Sequence, residues 1–242
     1  MSNIYAVSTA RGGSKSVPNK NVMMINSKPL YLHNLLESIA TAEIKATYIS
    51  TDIEEVIQNA STYGYKVIIR PPELCQDAST HTETIYHALL AIEENVSEQV
   101  DVLVVMLGNT INMDRKVITQ AIEMLTQDPE LDSVITVIRA NHFNPIRAYV
   151  DDGTGYITTY LTQDLIKEKT SRMHLSDKNS CGNILFQNGL WIIRRRAIIK
   201  AQEQRQGLLP FQWFGDKIRY IEQDPRLQEI DDIYQVRLLE DK

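Results

Sequence analysis

Ser8-Thr9-Ala10-Arg11-Gly12-Gly13-Ser14-Lys15-Ser16-Val17-Pro18-Asn19-Lys20-Asn21 follows directly on the apolar run Ile4-Tyr5-Ala6-Val7. The apolar run reads as a buried first strand. Gly12 and Gly13 let the backbone turn sharply and bring its N–H groups close to an anion. Arg11, Lys15 and Lys20 set positive charge beside those donors. From Pro29 to about Glu43, Leu32, Leu35, Leu36 and Ile39 recur at helical spacing, so the stretch joins a strand to a helix. Three cations around two glycines at the carboxyl end of a first strand suit a phosphate better than they suit a plain turn. Neither Gly-x4-Gly-Lys-Ser/Thr nor Gly-x-Gly-x-x-Gly occurs in this loop, which excludes a Walker A loop and the dinucleotide fingerprint.

Working outward, apolar runs alternate with helical patterns. Strands are expected at Ala46–Thr51, Lys66–Arg70, Asp101–Leu107, Ser133–Val137, Leu190–Ile193 and Ile218–Ile221. Helices are expected over Glu54–Tyr63, Thr82–Glu94, Arg115–Thr126, Arg195–Glu203 and, as a closing element, Asp232–Glu240. This rhythm predicts an α/β fold: an open, doubly wound, mainly parallel sheet with ligands at the carboxyl ends of its strands. The rhythm breaks between about Asn141 and Gln187, where Tyr149–Ile157 reads as a hairpin followed by a polar segment. The expectation is one domain over residues 1–242 carrying a small inserted lobe at about 141–187.

Against a net charge of −6 over 242 residues, the basic loop stands out. An acidic chain argues against a general nucleic-acid or anionic-membrane binder. No apolar stretch is long enough to span a bilayer, no leader is evident, and two cysteines without metal spacing fit a reducing compartment, so a cytoplasmic location is expected. Tyr48, Trp191, Trp213 and Phe214 read as core or interface residues. The Arg194-Arg195-Arg196 triple reads as a solvated face, and the histidines form no spaced metal pair.

These motifs together resemble the acylneuraminate cytidylyltransferase family, whose members make CMP-activated nonulosonic acids. Ala10-Arg11-Gly12-Gly13-Ser14-Lys15 with Pro18, Lys20 and Asn21 matches the family's opening motif. Lys28-Pro29-Leu30, Ser50-Thr51-Asp52, Arg70-Pro71-Pro72-Glu73-Leu74, Asn188-Gly189 and Glu229-Ile230-Asp231 match later ones. The resemblance implies a nucleotidyltransferase in which the anomeric hydroxyl of an acidic sugar attacks the α-phosphorus of CTP and pyrophosphate leaves. Charge-stabilising donors are the main means of catalysis in such a transfer.

By that resemblance Arg11 and Lys20 contact the triphosphate, Gly12, Gly13 and Ser14 shape the loop, and Asn21 faces the nucleotide. Lys15 is either a phosphate ligand or a solvated lysine. Arg70 positions the nucleotide, or is a strand-end arginine in solvent. Arg172 meets the sugar acid's carboxylate and Asn188 lies at the substrate. Glu229 and Asp231 hold Mg2+ from one face of an extended stretch, or cap the final helix. The lobe is expected to make a homodimer.

The chain departs from the family at Leu107-Gly108-Asn109-Thr110-Ile111-Asn112-Met113-Asp114, where Leu-Gln-Pro-Thr-Ser-Pro-Leu-Arg is usual. Thr110, with Asn109 or Asn112, is left to supply polar contacts to the nucleotide. Ser16 replaces a frequent glycine, and Gln235 stands where a further acid is common. These changes bear on base and sugar choice more than on phosphate chemistry. Two other readings stay open: a nucleotidyltransferase using GTP or a sugar 1-phosphate, and a nucleotide-binding partner without turnover.

Overall fold

The computed structural model describes residues 2–14, 17–111, 113–170, 183–224, 228–232 and 235. Its centre is a seven-stranded sheet built from β1 (Ile4–Ala10), β2 (Thr47–Thr51), β3 (Lys66–Ile69), β4 (Val102–Leu107), β5 (Ser133–Arg139), β6 (Leu185–Arg194) and β7 (Ile218–Glu222), in the order β7-β5-β6-β4-β1-β2-β3. β1 runs parallel to both β2 and β4, and β2 runs parallel to β3. β6 is antiparallel to β4, with Trp191 opposite Val105. Every residue of β4 is buried, as a strand covered on both faces requires.

Alternation along the strands sorts the core into layers. Tyr5, Val7, Leu103, Val105 and Trp191 face α4 (His81–Val96) and α7 (Arg195–Gln204). Ile4, Ala6, Val102, Val104 and Ile192 face α5 (Arg115–Gln127). Leu32 and Leu35 of α1 (Leu32–Ile39) pack on Ala10 and Ile49. Helix starts follow local chemistry: Thr80 accepts from the Glu83 N–H while Glu83 accepts from the Thr80 N–H, a capping box that opens α4. Asp114 caps α5 by accepting from the Lys116 N–H.

The helix expected over 54–63 is instead two short pieces, α2 (Glu54–Gln58) and α3 (Ala60–Tyr63), the second closed by Gly64 at φ +81°. The arginine triple is tied to partners rather than left as a free solvated face, although Arg196 stays exposed. Arg194 donates to the carbonyls of Leu125 and Leu131 around the end of α5, Arg195 pairs with Glu93 at 2.7 Å, and Arg196 pairs with Asp132 at 2.8 Å. Each guanidinium fork finds carbonyls or a carboxylate that lie far away in sequence.

The chain divides into two compact units: residues 1–136, 188–221 and 226–242, and residues 137–187 with 222–225. The smaller unit contains the antiparallel hairpin Tyr149–Asp151/Ile157–Thr159, the helix α6 (Gln163–Thr170), which sequence patterning did not reveal, and a bidentate Arg139–Glu222 pair. The closing helix expected over 232–240 lies outside the described residues except for Asp232 and Gln235. Among the described residues, no helix is long and apolar enough to cross a membrane.

Strand order positions the site. The chain travels outward from β1 to β2 and β3, then returns to add β4 on the other side of β1. At that reversal the loops after β1 and β4 diverge, leaving a crevice at the strands' carboxyl ends. Gly108, directly after β4, donates its N–H to Thr9 O at 3.0 Å. A Cβ there would sit 2.9 Å from both Ala10 Cβ and Thr9 O, so a glycine is required where the family usually carries glutamine.

Candidate active site

A cleft of about 520 Å³ opens at this crevice, lined by Arg11, Ser14, Lys20, Arg70, Glu229 and Asp231 among others. The loop after β1 is held by its own polar contacts. Gly13 turns at φ +67° and Asn19 at φ 54°. The buried Asn21 donates its amide to Arg11 O at 2.7 Å. The Gly12 N–H donates to Asp52 Oδ1 at 2.7 Å, so Asp52, at the end of β2, takes one of the loop donors that the glycine pair was expected to offer.

The loop cations are brought together from distant parts of the chain. Arg11 donates to Cys75 O at 2.7 Å and to Asp77 Oδ1 at 2.9 Å. Lys20 Nζ pairs with Asp231 Oδ1 at 2.9 Å across 211 positions. Arg70 is buried rather than in solvent: its side chain lies under the cleft, with Nε donating to Ser50 Oγ at 3.2 Å and Nη2 to Ser50 O at 2.9 Å. Burial lowers its pKa, with the Arg11 charge adding to the effect. Both contacts use the β2 end, so the strand-end arginine is tied beneath the crevice rather than extended from it.

The acids sit on a short antiparallel ladder in which Gln228 faces Ile111 and Glu229 faces Thr110. Asn109 fastens this segment down. Its carbonyl accepts from the Ile230 N–H at 2.8 Å, and its amide donates to Ile230 O and Asp231 Oδ1, each at 3.1 Å. Gln235 closes the turn by accepting from the N–H groups of Asp231 and Asp232 and donating to Glu229 O. The residue that replaces a frequent acid is thus a backbone clamp. Burial, together with the Asp231 charge, raises the Glu229 pKa. Two carboxylates that resist being charged together invite a cation between them. Among the described residues no group of three potential metal ligands occurs. Two carboxylates suffice for Mg2+ when substrate phosphates and water complete its shell.

Other expected site residues are placed differently. Thr110 is fully buried, with its hydroxyl making no hydrogen bond among the described residues. It packs against Gly189, where an added Cβ would lie 2.5 Å from Thr110 Oγ1. Asn188 is buried with its amide unpartnered among the described residues, and neither it nor Thr110 lines the cleft. Lys15 and Arg172 lie outside the described residues. Several cleft residues were not singled out from sequence, among them Gln76, Asp77, Ser79 and Thr84. Asn109 could be seen only as one of several polar candidates, and His81, the first residue of α4, carried no spacing signal at all.

A family profile described as Cytidylyltransferase matches residues 6–146. N-acylneuraminate cytidylyltransferase A of Danio rerio is 32% identical over 140 residues, covering 58% of this chain and 31% of that protein. N-acylneuraminate cytidylyltransferase of Escherichia coli O18:K1:H7 is 26% identical over 185 residues, covering 76% and 42% respectively. The chain thus aligns with less than half the length of either relative. The solved CMP:2-keto-3-deoxy-manno-octonic acid synthetase complexed with CTP superposes with a TM-score of 0.67 at 19% identity, covering 99% of both chains, a likeness of fold. A 4-diphosphocytidyl-2C-methyl-D-erythritol synthase from Anaerococcus prevotii gives 0.62 at 13%, over 98% of this chain and 94% of that one. With a profile spanning more than half its length, the glycine-bent loop at its first strand and the strand reversal that opens a cleft beside it, this chain belongs to the cytidylyltransferase family.

Proposed function

We propose that the chain transfers CMP from CTP to an acidic sugar of the nonulosonic type, releasing pyrophosphate in a Mg2+-dependent reaction. One observation carries the reading: the Lys20–Asp231 contact, which puts the basic loop and the carboxyl-terminal acids on one cleft. Arg11 and Lys20 would bind the triphosphate and stabilise charge as the pyrophosphate leaves. On binding, that charge competes with Asp77 for Arg11 and with Asp231 for Lys20, so both cations exchange a carboxylate for a phosphoryl oxygen. Asn21 holds the loop in shape, and the Ser14 hydroxyl is within the cleft as a further donor. Glu229 and Asp231 would hold the divalent ion, which when bound supplies charge neutralisation at the phosphoryl oxygens. Asn109 and Gln235 keep those carboxylates in place.

The relatives named for N-acylneuraminate support the acidic-sugar acceptor. The smaller unit supports a homodimer: Tyr149, Tyr156, Ile157 and Tyr160 are each more than 60% exposed, an apolar surface suited to burial against a second copy. Light scattering at micromolar concentration should report about twice the chain mass. The decisive experiment incubates the protein with CTP, Mg2+ and a panel of nonulosonic acids and follows pyrophosphate. Release with CTP and at least one acidic sugar is expected. Release with GTP or a sugar 1-phosphate alone would replace this reading, and nucleotide binding without release would make the chain a non-catalytic partner.

A further inference from the structure

Asp52 follows directly on β2 and does not face the cleft: neither it nor Gly12 lines the cavity, whereas Arg11 and Ser14 do. The peptide that joins Arg11 to Gly12 is held at both polar ends by side chains. Its carbonyl accepts from the Asn21 amide at 2.7 Å, and its N–H donates to Asp52 Oδ1 at 2.7 Å. A peptide unit is planar, so pinning its two polar atoms fixes the direction in which the Arg11 side chain leaves the backbone. A Cβ on residue 12 would lie 3.5 Å from Asp52 Oδ2 and 3.6 Å from Oδ1, which is ordinary contact. Asp52 therefore reads the Gly12 N–H, not the missing side chain.

The far end of the Arg11 side chain comes under the same carboxylate. Arg11 Nη1 donates to Cys75 O at 2.7 Å. Burial, followed by the hydrogen bond and charge of Asp52, pushes the Cys75 thiol pKa up, so Cys75 lies beside Asp52. The β2 end that carries Asp52 is itself firmly held. Thr51 is fully buried, its hydroxyl accepts from the Ile53 N–H at 3.1 Å, and its carbonyl accepts from the Arg70 N–H at 2.9 Å. Three stretches far apart in sequence thus close a ring around Arg11: the loop after β1, the end of β2 and the turn at Pro72–Leu74 with Cys75. On charge alone Asp52 opposes an incoming triphosphate, because its field has the ligand's sign. What it adds to binding is geometry.

We propose that Asp52 is a positioning residue that aims the Arg11 guanidinium at the nucleotide's phosphates by holding the Gly12 N–H and bordering Cys75, without touching the ligand. This inference rests on the nucleotide reading above and deepens it. A flexible arginine side chain loses rotamer freedom when it binds a phosphate, and a loop that already fixes its root and its head leaves less to lose.

The test uses Asp52→Asn, which keeps an oxygen acceptor for the Gly12 N–H and drops the charge, and Asp52→Ala, which drops both. Calorimetric titration with inorganic tripolyphosphate and Mg2+ reads the phosphate affinity without base or sugar, pyrophosphate release reads turnover, and thermal unfolding reads the fold. The chain has ten glycines, so selective nitrogen-15 glycine labelling resolves the Gly12 amide, identified by its loss in Gly12→Ala. Asp52→Ala should weaken tripolyphosphate about fivefold and lower kcat about tenfold, a size in keeping with a small misplacement of one cation. Its Gly12 amide proton should move upfield as the hydrogen bond is lost. Asp52→Asn should stay within about twofold of wild type in affinity and kcat, because the exposed charge it removes is screened by salt. Equal losses in both variants assign the effect to charge and overturn the inference. Tighter tripolyphosphate binding in both variants makes Asp52 an electrostatic brake and also overturns it. So does wild-type affinity in a folded Asp52→Ala protein whose Gly12 amide has moved. A wild-type protein that binds neither tripolyphosphate nor CTP overturns the nucleotide reading, and this inference with it.

Discussion

Gly189→Ala should be a damaging methyl addition in the larger unit, with an effect that reaches the acid pair. Gly189 sits at φ +83°, in the left-handed region, where an L side chain costs about 1–2 kcal/mol. The new Cβ would stand 2.5 Å from Thr110 Oγ1 and 3.3 Å from Thr110 Cβ and Cγ2. Thr110 is fully buried, so it cannot swing into solvent, and overpacking of this kind costs about 1–3 kcal/mol more. The sum, about 2–5 kcal/mol, corresponds to a fall in Tm of roughly 4–20 °C for a chain of this size. Thr110 is also the ladder partner of Glu229, so a displaced Thr110 moves the carboxylate and turnover should fall further than stability accounts for.

A double-mutant cycle isolates the clash. Thr110→Ala alone should cost about 1 kcal/mol or less, because it trades a small cavity for the loss of an unsatisfied buried hydroxyl. In the Gly189→Ala background it removes the atom at 2.5 Å, so the two changes should couple favourably by about 1–3 kcal/mol, leaving the backbone cost behind. Urea denaturation with an unchanged m-value measures each corner of the cycle. Wild-type stability in Gly189→Ala, or strict additivity with Thr110→Ala, would refute the reasoning.

Two further outcomes follow from named contacts. Lys20→Met should leave Tm nearly unchanged, because its partner Asp231 is 60% exposed and such pairs contribute about 0–1 kcal/mol. Pyrophosphate release should nonetheless fall about 100- to 1000-fold, and a fall under fivefold would remove Lys20 from the chemistry. Asp132→Asn should destabilise by about 1–3 kcal/mol at pH 7, since the carboxylate accepts from Arg196 and from the N–H groups of Asp216 and Lys217. Burial works against the Asp132 charge, but those donors outweigh it and hold its pKa below the ordinary aspartate value. A depressed folded-state pKa gives stability that is present above the unfolded value and fades as pH falls through the folded one. The Tm gap between wild type and Asp132→Asn should therefore be full at neutral pH and narrow below about pH 4; a gap constant down to pH 3 would contradict it.

What could be read from the sequence was whatever depends on near neighbours. An apolar run ending in Arg11-Gly12-Gly13 carries its own evidence for a strand and a phosphate-type loop, and periodicity finds α4 and α5 to within a residue or two. The roles of Arg194, Arg195 and Arg196 depend on Leu125, Glu93 and Asp132, which are 69, 102 and 64 positions away, so no local pattern distinguished them from a solvated face. Asn109 is similar: a polar residue after a strand carries little information until Ile230 and Asp231 are seen against it. Arg70 shows the same dependence on context, since only the β2 end, 20 positions back, turns a strand-end arginine into a buried one. The departures from the family's usual pattern then acquire separate causes. Gly108 answers to the close approach of β1, Asn109 to the clamp on the acids, and Gln235 to the turn that carries them. Asn109 and Gln235 shape the backbone that presents Glu229 and Asp231, Gly108 lets β4 close on β1, and none of the three takes away either carboxylate or either loop cation. Divergence of that kind retunes the frame around a charge-handling centre, so the phosphate chemistry can persist while the choice of base and sugar shifts.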